Sequence, residues 1–113
     1  MAEGDWVKEF PGGVVVCDEA GTIGELNEKA VEWFAGRGGR ALIGKSLLDV
    51  HQEASQSKIR QMTASRERNV YTIERDGRRV LVYQSPWYRG GEFAGLVELL
   101  LDVPPEIPHH ART

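Results

Sequence analysis

From Asn69 to Asp102 the chain reads N-V-Y-T-I-E-R-D-G-R-R-V-L-V-Y-Q-S-P-W-Y-R-G-G-E-F-A-G-L-V-E-L-L-L-D. Three runs rich in Val, Leu, Tyr, Ile and Phe are separated by Asp76-Gly77 and by Arg89-Gly90-Gly91, so the pattern predicts three β-strands. Asp-Gly suits a type I′ hairpin, whose two central residues both need φ > 0. The glycine pair breaks the second hairpin for the same steric reason. A three-stranded antiparallel meander therefore closes the chain.

Ahead of it the pattern changes repeatedly. Trp6 and Phe10 are spaced i, i+4 over Asp5 to Phe10, a short helix that Pro11 ends. Gly13 to Cys17 is a buried strand by composition, Asp18-Glu19-Ala20-Gly21 a turn, and Thr22 to Leu26 a second short strand. Asn27 is placed to cap a helix over Glu28 to Ala35, whose Ala30, Val31 and Phe34 form a core-facing stripe. Gly36 to Gly39 stops that helix. Ser46 caps a brief turn through Leu47, Leu48 and Val50, and a longer helix over Ser55 to Arg66 carries Ile59 and Met62 on one face. Pro104, Pro105 and Pro108 exclude helix and central strand from the tail. The order β-β-α-(short helices)-α-β-β-β predicts an α+β fold with antiparallel strands.

Composition narrows the function classes. One hydrophobic core is what 113 residues allow. A net charge of −3 gives no bulk attraction to nucleic acid or to an anionic membrane. The arginines at 60, 66, 68, 75, 78 and 79 alternate with Glu67, Glu74 and Asp76, as on a solvated face. The single Cys17 excludes an internal disulfide and fits a reducing compartment. No apolar run reaches the ~18 residues of a membrane span, and M-A-E-G-D-W lacks the regions of a signal peptide, so a cytoplasmic location is expected. No phosphate loop, metal-ligand spacing or nucleophile-base set appears, and an enzyme is not expected.

The stretches V-V-V-C-D-E-A-G-T-I with L-N-E-K-A, L-I-G-K-S-L-L-D-V-H, the helix around Ile59 to Arg66, R-D-G-R-R and G-E-F-A-G-L-V-E-L-L-L-D fall in one order over residues 13 to 103. In that order and spacing the chain resembles a PAS domain, a small sensory module. V-Y-T-I-E-x-x-G, Y-Q-x-P-W-Y and the P-H-H-x-R ending are similar to a group of compact bacterial PAS proteins of undefined ligand. The resemblance implies a five-stranded antiparallel sheet of order 2-1-5-4-3, with helices packed on one face around a pocket. It divides the chain into an N-terminal cap segment (1–12), the PAS domain (13–103) and a Pro-rich tail (104–113).

The family's register implies Val80, Val82 and Gln84 inward on the fourth strand and Leu81, Tyr83 and Ser85 outward. On the last strand a charge should point out. Glu98 therefore predicts Gly95, Val97 and Leu99 inward, with Leu96 and Leu100 outward. Val15, Cys17 and Thr72 are expected to face in, closed over by Phe34, Leu42, Ile59 and Met62. The expected ligand pocket is thus Val15, Cys17, Phe34, Leu42, Ile59, Met62, Thr72, Val80, Val82, Gln84, Val97 and Leu99. Its mostly apolar lining suits a small molecule and equally suits an ordinary core. Trp6, Phe10, Leu81, Tyr83, Leu96 and Leu100 are expected to form a dimer or partner face, since monomers seldom leave such a patch bare.

The resemblance implies a sensory or regulatory domain in signal transduction, with a small-molecule ligand and a homodimer. A kinase or cyclase partner would act in trans or in a longer parent chain. The competing class is a ligand-free interaction module, and a haem sensor ranks below both. His51 sits about a turn early for a haem ligand, and the helix over Ser55 to Arg66 has no histidine. The Asn-Cys-Arg-Phe motif of flavin-binding relatives is missing, so haem and flavin are both disfavoured and the cofactor stays open. No cation adjoins Cys17 to activate it, and His109-His110 lack a third metal ligand. One departure stands out. Family sensors leave the sheet through Asp-Ile-Thr into a signalling helix, whereas here Asp102-Val103 runs into Pro104-Pro105.

Overall fold

Two hairpin turns set the sheet. Asp76 (φ 53°) and Gly77 (φ 74°) both have positive φ, as a type I′ turn demands. Gly90 (φ 59°) and Gly91 (φ 85°) make the second turn. The computed structural model describes residues 4–50 and 53–113, and only the backbone at 49–50 and 53–55. Its elements are α1 (Asp5–Lys8), β1 (Gly13–Asp18), β2 (Ile23–Leu26), α2 (Glu28–Trp33), α3 (Glu53–Ser65), β3 (Asn69–Arg75), β4 (Arg78–Arg89) and β5 (Glu92–Val103). Short 3₁₀ turns at Ala35–Arg37, Gly39–Leu42 and Leu47–Val50 link α2 to α3. The strands pair antiparallel in the order β2-β1-β5-β4-β3, as expected.

Asn27 holds the front of the molecule together. Its Oδ1 accepts from Ala30 N (3.0 Å), capping α2, and from Val14 N (2.9 Å) on β1. Its Nδ2 donates to Val7 O (2.9 Å) and Gly12 O (2.8 Å), which anchors the N-terminal segment. A buried amide with every donor and acceptor used stabilises rather than costs.

One face of the sheet carries the core. Val15 and Cys17 from β1, Val80 and Val82 from β4, and Leu96 and Leu100 from β5 pack with Ile23, Leu26, Ala30, Phe34, Leu42, Leu47, Ile59 and Met62. Fully burying a side chain of this size contributes roughly 1.5–3 kcal/mol each, so this layer dominates stability.

Two register expectations are overturned. The first concerns β5. Counting back from Arg89↔Glu92 with strict alternation sets Gln84 opposite Val97, which would turn Val97 and Leu99 inward. In fact Tyr88 pairs with Phe93 but Trp87 pairs with Gly95, leaving Ala94 over as a one-residue bulge. Every later position changes face. Leu96, Glu98 and Leu100 are buried beside Pro86, Gln84 and Val82, while Val97 and Leu99 lie half-buried on the other face with Ser85 and Tyr83. The bulge needs glycine: Gly95 has φ 145°, and a Cβ there would lie 1.9 Å from Cys17 O.

The second correction is Thr72. The two-residue turn pairs Arg75 with Arg78 and hence Thr72 with Leu81, so Thr72 is exposed on the outer face. Tyr71 and Ile73 take the inward places and pack against the core. Leu81 and Tyr83 face outward as expected, but Leu96 and Leu100 do not join them. The outer apolar row instead runs through Val16, Val97, Leu99 and Leu101, all half-buried.

Candidate functional site

The end of the core nearest the β1–β2 turn is open. Asp18 Oδ1 accepts from Ala20 N and Thr22 N (2.9 Å each), which pins the Asp18–Gly21 turn. Leu47 N donates to Gly21 O (2.8 Å) and Ile23 N to Lys45 O (2.8 Å), lashing that turn to residues 44–48. Gln56 Nε2 donates to Leu48 O (2.7 Å), so α3 is tied to the same wall. Between these pieces lies a cleft of about 220 Å³, bordered by Cys17, Asp18, Glu19, Ala20, Gly21, Ser46, Leu47, Leu48, Ile59, Arg60, Thr63, Phe93 and Leu96. Its floor is apolar and its rim charged. At the far corner the Arg66 guanidinium lies 3.5 Å from the Phe93 ring centre, and Arg66 takes φ 64° to end α3.

Beside the cleft runs a polar seam across three strands. Asn69 Nδ2 donates to Gln84 Oε1 (2.9 Å), and Gln84 Nε2 donates to Glu98 Oε1 (2.8 Å). Gln84 and Glu98 are both 4% exposed. A carboxylate at such depth is tolerated only when it is hydrogen-bonded, and the amide of Gln84 is oriented by it. Burial, then the Glu98 charge, push the half-buried Tyr71 phenol up from its ordinary value. Burial also pushes the Cys17 thiol up, against an opposing hydrogen bond from the Leu96 backbone. That thiol is not activated.

At the opposite end of the sheet a polar groove of about 450 Å³ lies between α2 and the β3–β4 turn. Most of its charges are already committed: Arg75 stacks on Trp33 (4.2 Å), Arg78 pairs with Asp102 (3.1 Å) and Lys29 with Glu32 (3.3 Å).

Of the expected pocket residues, Val15, Cys17, Phe34, Leu42, Ile59, Met62, Val80, Val82 and Gln84 come together in the interior, but only Cys17 and Ile59 border the cleft. Thr72, Val97 and Leu99 are elsewhere. Of the expected partner face, Trp6 is 64% exposed and Phe10 half-buried, while Leu96 and Leu100 belong to the core. His51 lies outside the described residues. His109 and His110 are exposed in the tail, and no group of three metal-ligating side chains occurs among the described residues. Sequence reasoning missed Leu47, Leu48, Thr63, Phe93 and Leu96 on the cleft and Asn69, Tyr71 and Glu98 around the seam. Two signals were available: Thr63 sits i+4 from Ile59, and Gly95 inside a strand marks a bulge.

The PAS fold family matches residues 7–105. The chain belongs to it. This PAS domain resembles the PAS domain of the histidine kinase ThkA, at 20% identity and a TM-score of 0.67 over 80% of this chain and 98% of that one. The PAS domain of BvgS from Bordetella pertussis is also 20% identical, with a TM-score of 0.64 over 87% and 81% of the two chains. The Aer2 receptor of Vibrio cholerae, a dual PAS-haem oxygen sensor, is 17% identical, with a TM-score of 0.64 over 82% and 95%. At these identities the likeness concerns the fold alone. No curated protein sequence matches the chain.

Proposed function

We propose that this PAS domain is a non-catalytic sensory module in signal transduction, and that it takes up a small molecule in the cleft between α3 and the β1–β5 seam. The observation that carries this reading is the cleft itself, with an apolar floor, polar rim and walls drawn from three separate segments. At about 220 Å³ it falls below the ~300–1,000 Å³ of drug-sized sites. That favours a small metabolite over a haem or a flavin. The haem of Aer2 remains a property of Aer2, and the described part of α3 supplies no histidine. The proposed location is cytoplasmic, and no described helix is long and apolar enough to cross a membrane.

The test is native mass spectrometry of protein purified directly from cells. The wild type should carry a small adduct that Thr63→Trp, with its indole in the cleft, loses. Bare mass for both proteins sinks the reading in favour of a ligand-free interaction module. Coloured protein with a Soret band would instead restore the haem alternative.

A homodimer through the outer sheet face is a second part of the proposal, supported by the continuous apolar row of Val16, Leu81, Tyr83, Val97, Leu99 and Leu101. Leu99→Asp should turn a dimer into a folded monomer by light scattering. A wild type that is already monomeric refutes it. The output partner, a kinase or cyclase, is proposed to act in trans or within a longer parent chain.

A further inference from the structure

We infer that the cleft is built for a zwitterion with an aliphatic body, the chemistry of a free α-amino acid of about leucine's size. The inference rests on the reading that the cleft takes up a small molecule, and adds its class. Arg60 borders the cleft from α3 and Glu19 borders it from the β1–β2 turn, and both are exposed. Among the described residues neither side chain makes a hydrogen bond or an ion pair, with the other or with anything else. The neighbouring Asp18 differs, since its Oδ1 is committed to two backbone amides. The same cleft is bordered by Leu47, Ile59 and Leu96, all buried, which give it an apolar floor.

Each ligand class uses these features differently. An apolar molecule uses the floor and leaves both charges in water. A simple carboxylate meets Arg60 but brings its charge towards Glu19, and a simple amine does the reverse. A zwitterion satisfies both walls while its side chain covers the floor. The size agrees: about 220 Å³ is roughly seven times the ~30 Å³ share of a water in the liquid, the scale of a free amino acid.

The test is a methyl NMR titration of the whole chain with three probes: L-leucine, 4-methylpentanoate (no ammonium) and 3-methylbutylamine (no carboxylate). At ~10 mM, enough to saturate a Kd of ~1 mM, L-leucine should shift the Ile59 and Leu96 methyl signals. Each single-charge probe should bind roughly two- to fivefold more weakly, as loss of one exposed ion pair implies. Arg60→Ala should bring L-leucine down to the level of the amine, and Glu19→Gln to the level of the carboxylate. Both residues are exposed, so melting temperatures should hold and the variants remain readable. The inference is overturned if no probe shifts these methyls, or if a single-charge probe binds as tightly as L-leucine. If the adduct on cell-purified protein survives while L-leucine neither shifts the methyls nor displaces it, the class is wrong and uptake stands. If both adduct and shifts are missing, both readings fall.

Discussion

The β3–β4 and β4–β5 hairpins share β4 and look alike in sequence, yet they obey different counting rules. Across Asp76-Gly77 every pairing follows from the turn, Arg75↔Arg78 through Asn69↔Gln84 without a slip. Across Gly90-Gly91 the count holds for two pairs and then shifts by one at Ala94. The first hairpin presents a regular edge strand. The second reverses the faces of its last strand and thereby sets a carboxylate in the core. A turn fixes register only as far as the next bulge, and the function of a strand depends on which side of the bulge it lies.

Breaking the bulge should have the largest effect. Gly95→Ala would drive a methyl into the Cys17 carbonyl, and urea unfolding should show a loss of about 3–5 kcal/mol or no folded protein. Next comes the seam that the bulge creates. Glu98→Ala removes the acceptor of Gln84 Nε2 and should cost about 1–3 kcal/mol, while Gln84→Leu/Glu98→Leu together should cost less than the sum of the single changes. An additive double mutant would show that the seam has no energetic coupling. In the unbulged hairpin, Gly77→Ala should cost only about 1 kcal/mol, because nothing lies near the new methyl and only the positive φ resists it.

Smallest is the effect of pH. Tyr71 and Cys17 are held neutral in the fold with raised pKa values, so the unfolded chain gives up those protons first. Their stabilising share is fully present below the unfolded values and lost as pH rises past about 9 for the thiol and 10 for the phenol. Urea midpoints should fall from pH 8 to pH 10.5, and less steeply in Tyr71→Phe. An unchanged slope would show that burial and the Glu98 charge do not hold the Tyr71 phenol up in the fold.

Turns, caps and helix stripes were legible because each is written in a few adjacent residues. Asp76-Gly77, Asn27 and the Ile59/Met62 pair all do what their local chemistry dictates. The faces of β5 were not, because L-V-E-L-L-L is apolar on both sides and offers no alternation. The only marker was Glu98, and the rule that charges face water fails where a cross-strand amide meets the carboxylate. The cleft was half legible. Cys17 and Ile59 came from core patterning, whereas Leu47 and Leu48 reach it from a short 3₁₀ turn and Phe93 from the strand start beside the bulge, where no periodicity encodes the face.

The four bonds of Asn27 also bear on the order in which the chain acquires structure. Its partners, Val7, Gly12, Val14 and Ala30, all lie within 20 positions of it. By contrast, Val15 must find Glu98 from the other end of the chain. Closing a short loop costs less entropy than closing a long one, and contacts distant in sequence slow folding. The first thirty residues should therefore gather around one amide before the sheet is joined. Pulse-labelled hydrogen exchange should find the amides of Val14 and Ala30 protected ahead of those on the β1–β5 seam.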